Sequence, residues 1–146
     1  LIPAVRGNGV LILALVRSDV RQWHSHWGVT GRDHVLQYDL ETSGTASHWD
    51  RITQFAGLRT DAELNETGEV ESFHVRLPDD VLPNPDAALV TGLTPQMLRD
   101  SGVSEWTALR RINALFAVPG TCTVGFNTLR FDDEFVRHGL YRNLMD

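Results

Sequence analysis

Hydrophobic and polar residues alternate over three stretches in the first half of the chain, and this alternation predicts three β-strands. The first covers residues 33–39 (DHVLQYD), and the second covers residues 51–61 (RITQFAGLRTD). The third lies within residues 63–77, after a turn that we place around Asn65 and Gly68. Because a short polar connection with a glycine joins the second strand to the third, we expect an antiparallel hairpin.

The next segment interrupts this alternation. Residues 77–89 (LPDDVLPNPDAAL) contain three prolines, which predict a loop without a regular helix or a central strand. Beyond the loop, Thr94 and Pro95 have the properties of an N-cap and a first helical residue, and Gly102 is a helix stop. We therefore expect a short helix between Thr94 and Gly102.

Two longer helices with a strand between them complete the pattern. Ser104 caps the first helix, and Pro119 with Gly120 ends it. Residues 121–126 (TCTVGF) are almost all apolar, as in the middle strand of a parallel sheet, and residues 131–145 form the last helix. The inward-facing residues predicted for the two helices are Trp106, Leu109, Ile112, Phe116, Phe131, Phe135, Leu140 and Leu144. The order of three strands, two helices, a strand and a helix predicts an α/β or α+β sheet with helices packed on it.

The start of the chain does not fit this pattern. Residues 1–32 are poorly patterned, and we interpret them as an irregular leader before a domain in residues 33–146. His24 and His26 are candidate metal ligands, but no carboxylate or cysteine supports them, so the interpretation as a tail is favoured. Residues 9–16 (GVLILALV) are too short for a membrane span and lack a small-residue cleavage site, which disfavours both a membrane anchor and secretion.

Length and composition fit one globular domain of 146 residues, of which 42% are hydrophobic and 22% are charged. With a net charge of −6, binding of a nucleic acid requires a local basic patch or a bound metal. The single cysteine, Cys122, excludes an internal disulfide and a cysteine-rich zinc site, so we expect a reducing, cytoplasmic setting. The chain opens on Leu1 and stops at Asp146, directly after a helical pattern, and we expect a fragment or an imperfect gene boundary.

Candidate chemistry begins at the end of the first strand. Asp39 and Glu41 are two positions apart and therefore project from the same face of a strand. Two close carboxylates repel each other, so one takes up a proton unless a cation lies between them. Mg²⁺ or Mn²⁺ accepts such ligands and brings phosphate oxygens with it, and Thr42, Ser43 and Gly44 add hydroxyl and backbone N–H groups. The alternative is a solvated strand end that runs into a turn.

A second acidic position strengthens the metal interpretation. Asp132 begins the last helix directly after the apolar strand, at the edge where parallel sheets bind ligands. If the first strand and the apolar strand are neighbours, Asp132 reaches the same edge as Asp39 and Glu41, and the three carboxylates can hold two metal ions. The alternative for Asp132 and Asp133 is N-capping of the helix and complementing of its dipole, or an ion pair between Asp133 and Arg137.

Three stretches of the sequence, YDLETSGT, ALVTGLTPQML and GFNTLRFDDEFVRHGLYRN, together resemble a known family. They are similar to the exonuclease domain of the exodeoxyribonuclease I family, in the DEDD (DnaQ-like) superfamily of 3′→5′ exonucleases. The resemblance runs from about residue 35 to residue 146. It implies a ribonuclease H-like mixed sheet, with antiparallel hairpin strands and parallel strands flanked by helices, and a chain that is truncated before the last strand and helix of that fold.

The resemblance also implies roles for individual residues, a two-metal Mg²⁺ site in which Mn²⁺ can substitute, and the 3′ end of single-stranded DNA as substrate. The implied metal ligands and catalytic residues are Asp39, Glu41 and Asp132. The implied substrate contacts are Glu41, Thr42, Ser43, Gly44, Asn127 and Arg137. For Asn127 the implied role is structural or substrate-positioning. The implied activity releases mononucleotides in DNA repair and recombination, with single-strand-binding protein as a partner through regions that this chain lacks.

The third motif of the family, a helical His followed five residues later by an Asp, is not found after Asp132. His34 with Asp39 and His74 with Asp79 have this spacing, but both pairs lie upstream and we treat them as chance. Without the His as general base, and with the apolar strand left as a sheet edge, we expect this chain alone to be poorly stable and nearly inactive.

Three alternatives stay open. The first is a non-catalytic module that binds a nucleotide or a DNA end. The second is a 3′→5′ exoribonuclease of the same superfamily, and the third is a structural fragment without a ligand. The preference for RNA over DNA depends on contacts to the 2′-hydroxyl, which the sequence does not reveal.

Overall fold

The computed structural model describes residues 34–145, so the leader with His24 and His26 lies outside the described residues. The strands and helices, in chain order, are β1 His34–Thr42, β2 Ile52–Asp61, β3 Glu66–His74, α1 Pro85–Thr91, α2 Pro95–Ser101, α3 Glu105–Phe116, β4 Thr121–Val124 and α4 Asp132–Arg142. A 3₁₀ turn, Thr128–Arg130, precedes α4. Over residues 34–145, none of the helices has the length and apolar character that crossing a membrane requires.

Four strands form one mixed sheet in the order β3-β2-β1-β4. β2 pairs antiparallel with both β1 and β3, whereas β1 and β4 run parallel. The predicted α/β architecture, with a hairpin of antiparallel strands beside a parallel pair, is therefore confirmed. In the part of the chain that the structure describes, β4 is an edge strand with partly exposed residues, so its apolar, middle-strand pattern does not place it in the middle, and the expectation of a sheet edge is confirmed there.

β4 is shorter than β1, and this difference leaves part of β1 without a strand neighbour on one side. The parallel pairing starts at His34 and ends where Gln37 lies beside Val124. β1 continues to Thr42. Beyond Gln37, the edge of β1 that faces away from β2 is not covered by any strand among residues 34–145.

The core lies between one face of β1 and the helices α3 and α4. Alternate residues of β1, namely Leu36, Tyr38 and Leu40, belong to this buried cluster. The other strands and helices contribute Ile52, Phe55, Val75, Ala108, Leu109, Ile112, Leu115, Phe135 and Val136. Burying one such large apolar side chain contributes roughly 1.5–3 kcal/mol relative to leaving it exposed. Gly139 lets α4 approach α3, because a Cβ at this position would lie 2.9 Å from Leu109 Cδ2.

The Pro-rich segment contains a helix, so the prediction of an uninterrupted loop is wrong. α1 begins at Pro85, and a proline is tolerated at the first turn because its missing N–H has no partner there in any helix. Asn84 caps this helix by accepting a hydrogen bond from the backbone N–H of Asp86 at 2.9 Å. Three prolines in a segment therefore do not exclude a helix when the last of them starts it.

The turn between β2 and β3 differs from its prediction at one residue. Residues 62–65 form the turn, with Leu64 at a φ of 67° and the backbone N–H of Asn65 donating to Asp61 Oδ1 at 2.8 Å. Gly68 lies within β3, at a φ of 87°, beside an irregularity in the β2–β3 register. This glycine therefore serves a strand irregularity and not the turn.

The predicted helix starts are confirmed. Thr94 and Ser104 each accept a hydrogen bond from a backbone N–H in the first turn of the helix that follows. Two residues predicted to face inward do not: Trp106 is 49% exposed, and Leu144 lies beyond the end of α4 and is 93% exposed.

Candidate functional site

Asp39 and Glu41 project from the face of β1 opposite to the core. Tyr38 and Leu40, their neighbours in sequence, belong to the buried cluster, so the alternation of a strand places the two acids on the other face. Both acidic residues are half-buried. The residues that face them across the β1–β2 pairing are uncharged.

Asp132 reaches β1 from the start of α4. Its Oδ1 accepts a hydrogen bond from the backbone N–H of Leu40 at 3.0 Å, and the residue is only 2% exposed. Because β4 has already ended, the carboxylate takes the place of a strand partner for Leu40. Leu40 stands between Asp39 and Glu41, so the structure brings the three predicted acids to the same end of β1. Their role as metal ligands stays a prediction.

Burial and mutual repulsion shift the pKa values of these three groups upward. Burial raises the pKa of Asp39, and burial together with the charge of Asp39 raises the pKa of Glu41. Burial, and then the charge of Asp39, raise the pKa of Asp132 to about 7, although the hydrogen bond from Leu40 acts in the opposite direction. Asp39 therefore lies close enough to both other acids for their charges to interact.

No basic side chain is ion-paired with Asp39, Glu41 or Asp132 within residues 34–145. Other acids of the described residues, such as Glu69, Glu71, Glu105 and Glu134, do form ion pairs with basic side chains. Over the same residues, no three His, Cys, Asp or Glu side chains are grouped so that they could hold a metal ion alone. Mg²⁺ does not require such a group, because it keeps several waters and combines one or two carboxylates with substrate phosphate. The donor set therefore fits a hard divalent cation that binds together with a phosphate.

Tyr38 is a neighbour of this cluster that the sequence did not single out. Its hydroxyl donates a hydrogen bond to Asp133 Oδ1, directly beside Asp132. Burial, and then this hydrogen bond, raise the pKa of the Tyr38 phenol, which therefore stays protonated and acts as the donor. Asp133 does not cap α4 and does not pair with Arg137, so these two expectations are wrong, but it lies in the first turn of the helix, where an acid complements the helix dipole as expected. Tyr38 occupies one of the regularly spaced apolar positions of β1, so the sequence did not distinguish it from an ordinary core residue.

The hydroxyls that follow β1 are used inside the protein. Thr42 Oγ1 donates to the carbonyl of Gly44 at 2.6 Å. Ser43 Oγ accepts from the backbone N–H of Arg51 at 2.9 Å and donates to Asp50 Oδ1 at 3.3 Å. A Cβ at Gly44 would overlap the Asp50 carboxylate. These hydroxyls are therefore engaged inside the protein and form a closely packed segment, and their contact with a phosphate or a sugar stays a prediction.

Asn127 shapes the turn that delivers Asp132 to β1. Its backbone is left-handed, with φ 55° and ψ 20°, a conformation that asparagine tolerates better than most residues. Its carbonyl accepts hydrogen bonds from the backbone N–H groups of Arg130 and Phe131 at 3.1 and 3.2 Å. The left-handed backbone and these two hydrogen bonds agree with a structural role for Asn127. Its contact with substrate stays a prediction.

Arg137 lies on the surface of α4. Its side chain is 64% exposed, and its guanidinium forms an ion pair with Glu134 one turn earlier on the same helix. The ring of His138, the next residue, lies 4.2 Å from the ring of His48, centroid to centroid. The role of Arg137 as a phosphate contact stays a prediction.

Neither His–Asp pair with the spacing of the third motif lies on a helix. His34 and Asp39 are both in β1, whereas His74 ends β3 and Asp79 lies in the loop that follows. The histidine of α4, His138, has an asparagine five residues further on. Residues 34–145 therefore contain no helical pair of this kind.

Comparison with known proteins agrees with this arrangement. Residues 36–146 match the family RNase_T, described as Exonuclease. The chain is 50% identical over 111 residues to exodeoxyribonuclease I of Escherichia coli (strain K12), which covers 76% of the chain and 23% of that protein. A crystal structure of E. coli exonuclease I in complex with a dT13 oligonucleotide superimposes with a TM-score of 0.76 and 48% identity, over 79% of this chain and 25% of that one.

A second solved structure, an ExoI/SSB-Ct complex, superimposes with a TM-score of 0.77 and 48% identity, again over 79% of this chain and 25% of that one. The chain spans about a quarter of the length of the relatives that it matches.

Proposed function

Because the chain belongs to the RNase_T exonuclease family, we propose that it supplies the metal-binding carboxylates of a 3′→5′ exonuclease that degrades single-stranded DNA. The products are mononucleotides, and the activity serves DNA repair and recombination in the cytoplasm. The identity to exodeoxyribonuclease I and the likeness to a structure with a bound oligonucleotide support this proposal.

One observation carries the proposal: the Asp132 carboxylate is hydrogen-bonded to the backbone of Leu40, the residue between Asp39 and Glu41. Two parts of the chain that are far apart in sequence therefore place three acids at one sheet edge. Buried acids without a cation are costly for a fold, and a site that binds metal and phosphate explains why they stand there.

Asp39, Glu41 and Asp132 would hold two Mg²⁺ ions, or Mn²⁺ as a substitute. When bound, such ions stabilise the charge that develops on the phosphate during attack by water. The protein's own part is to orient the ligands. The hydrogen bond from Leu40 holds Oδ1 of Asp132 in place.

The surroundings of the three acids suit the end of a DNA strand. The packed segment Thr42–Gly44 gives the terminal nucleotide a surface of fixed shape, to which Glu41 adds a polar contact. Arg137 is an exposed arginine of α4, and we assign it to a backbone phosphate. Recognition of this kind reads the backbone and the stacked bases, so we expect little dependence on base sequence.

Water activation needs a general base, and no helical His–Asp pair is present in residues 34–145. We therefore propose that this part of the chain hydrolyses DNA slowly or not at all by itself. Contact with single-strand-binding protein, by analogy with the ExoI/SSB-Ct complex, is assigned to regions outside these residues.

The experiment combines binding and cleavage. Fluorescence anisotropy with a labelled oligo-dT should show binding that requires Mg²⁺ or Mn²⁺, prefers a free 3′-hydroxyl over a 3′-phosphate, and is lost in Asp39→Asn. A gel assay with the label at the 5′ end should show no more than slow shortening from the 3′ end. Binding that ignores both a chelator and the Asp39→Asn substitution would contradict the proposal.

A second function, binding of a DNA end without hydrolysis, is favoured by the same lack of a helical His–Asp pair in residues 34–145. It predicts metal-dependent binding with no shortening of the DNA even at high protein concentration. Repeating the assay with oligo-U distinguishes the ribonuclease alternative, which predicts tighter binding and faster cleavage of RNA.

A further inference from the structure

The start of α4 is attached to β1 at two neighbouring points. Asp132 accepts from the backbone N–H of Leu40, and Asp133 accepts from the hydroxyl of Tyr38. We propose that Tyr38 is a positioning residue, which holds the first turn of α4 through Asp133 and thereby fixes the direction in which Asp132 presents its carboxylate. This inference rests on the proposed function, in which Asp132 binds a metal.

Tyr38 is itself held firmly. The residue is 3% exposed, and its ring lies 4.9 Å from that of Phe116 and 6.0 Å from that of Phe55, centroid to centroid. Gly57 is the partner of Tyr38 across the β1–β2 pairing, and a Cβ there would lie 2.9 Å from the Phe55 ring. The Tyr38 ring is therefore held between aromatic neighbours in the core, with its hydroxyl on Asp133 of α4.

The start of α4 has no other visible fastening of this kind. Phe131, at the N-cap position, has φ −124° and ψ −73°, and no side chain caps the helix. The 3₁₀ turn before it is held by backbone hydrogen bonds of its own. Among the described contacts, those of Asp132 and Asp133 with β1 are the hydrogen bonds that join the first turn of α4 to the sheet.

The geometry explains why the second contact matters for a ligand. The hydrogen bond from Leu40 fixes one carboxylate oxygen of Asp132. The contact from Tyr38 to the adjacent residue adds a second fixed point in the first turn of α4, beyond the core packing of Phe135 and Val136. Groups that orient a ligand through a hydrogen bond typically change metal affinity by 10- to 100-fold when they are removed.

The test measures Mn²⁺ affinity by calorimetry in the presence of a mononucleotide. Tyr38→Phe removes only the hydroxyl and keeps the ring between its aromatic neighbours, and we expect affinity to fall about tenfold. Thr60→Val is the matched control, because its buried hydroxyl also donates to β1, at the Val35 carbonyl at 3.4 Å, but far from Asp132. We expect this control to lose stability without losing Mn²⁺ affinity.

Asp133→Ala provides the second variant, and it decides the question if Tyr38→Phe does not fold. We expect Asp133→Ala to weaken Mn²⁺ binding at least as much as Tyr38→Phe, and the double variant to be no weaker than Asp133→Ala alone. Unchanged Mn²⁺ affinity in the folded variants would overturn the inference, as would fully additive losses, which would make Asp133 a ligand in its own right. Absence of Mn²⁺ binding by the wild-type chain would instead overturn the proposed metal site, and the inference with it.

Discussion

Two regions of the sheet bury charge and treat it in opposite ways. On β2, Arg59 is 4% exposed, and each of its nitrogens has an acceptor. Nε contacts Glu69, one terminal nitrogen donates to Thr121 Oγ1 at 2.7 Å, and the other donates to the Leu115 carbonyl at 2.7 Å. This guanidinium joins β3, β4 and the end of α3 to β2, so its charge serves the fold.

At the end of β1 the buried charges lack such partners. Asp39, Glu41 and Asp132 have pKa values shifted upward by burial, and none of them is ion-paired among residues 34–145. Removing one partner of a satisfied buried charge destabilises a fold, and a buried charge that has no partner lowers stability by itself. The contacts of Arg59 are therefore explained by the fold alone. The three acids at the end of β1 are explained by a ligand that binds from outside.

The largest expected loss of stability comes from removing the hydrogen bonds of Arg59. Arg59→Met keeps apolar volume but leaves Glu69, Thr121 and the Leu115 carbonyl without their donor, and we expect the free energy of unfolding to fall by about 3 kcal/mol. Denaturant unfolding measures this loss. Arg111→Met, which removes a half-exposed ion pair with Glu71, should cost about 1 kcal/mol or less. Equal losses in the two variants would remove the distinction between buried and surface pairs.

A smaller change, a gain in stability, is expected when one of the unpaired acids at the end of β1 is replaced. Asp132→Asn keeps an oxygen for the Leu40 N–H but removes a buried charge that Asp39 repels. In the presence of a chelator at pH 8, we expect stability to rise by about 1 kcal/mol. Asp86→Asn, an exposed first-turn acid of α1, is the control and should not stabilise the protein. Destabilisation by Asp132→Asn would show that its charge is compensated in the metal-free protein.

A third prediction concerns the pH dependence of stability without metal. The pKa of Asp132 is about 7 in the folded protein and near 3.8 when unfolded, so the folded state keeps a proton that the unfolded state releases between these values. Its contribution is fully present below pH 3.8 and is lost as pH rises through about 7, by up to about 1.4 kcal/mol for each pH unit. Chelator-treated wild type should therefore lose stability over this range relative to Asp132→Asn. Parallel curves for the two proteins would show that Asp132 titrates normally.

Much of the site follows from local rules. The alternation of side chains along a strand correctly placed Asp39 and Glu41 on the same face. The N-cap residues Thr94 and Ser104 correctly predicted where two helices begin. The parallel pairing of β1 with β4, expected only as a condition, proved correct and is what brings Asp132 to the same edge. These features depend on residues close in sequence or on the general architecture of parallel strands.

The parts that could not be predicted depend on contacts between distant residues. The Leu40–Asp132 hydrogen bond exists because β4 stops early, and the Tyr38–Asp133 bond exists because α4 starts at that level. The internal use of the Ser43 hydroxyl depends on the loop that returns to β2. No local pattern in the sequence reports where a strand partner ends, so these contacts appear only in three dimensions.

The most direct test is calorimetric titration of the chain with Mn²⁺ in the presence of a mononucleotide at pH 8. We predict binding by the wild type and by Glu134→Gln, whose acid is paired with Arg137 away from the cluster. We predict that Asp39→Asn, Glu41→Gln and Asp132→Asn each lose that binding. Equal heats from the wild type and these three variants would contradict the claim that the acids at the end of β1 form one metal site.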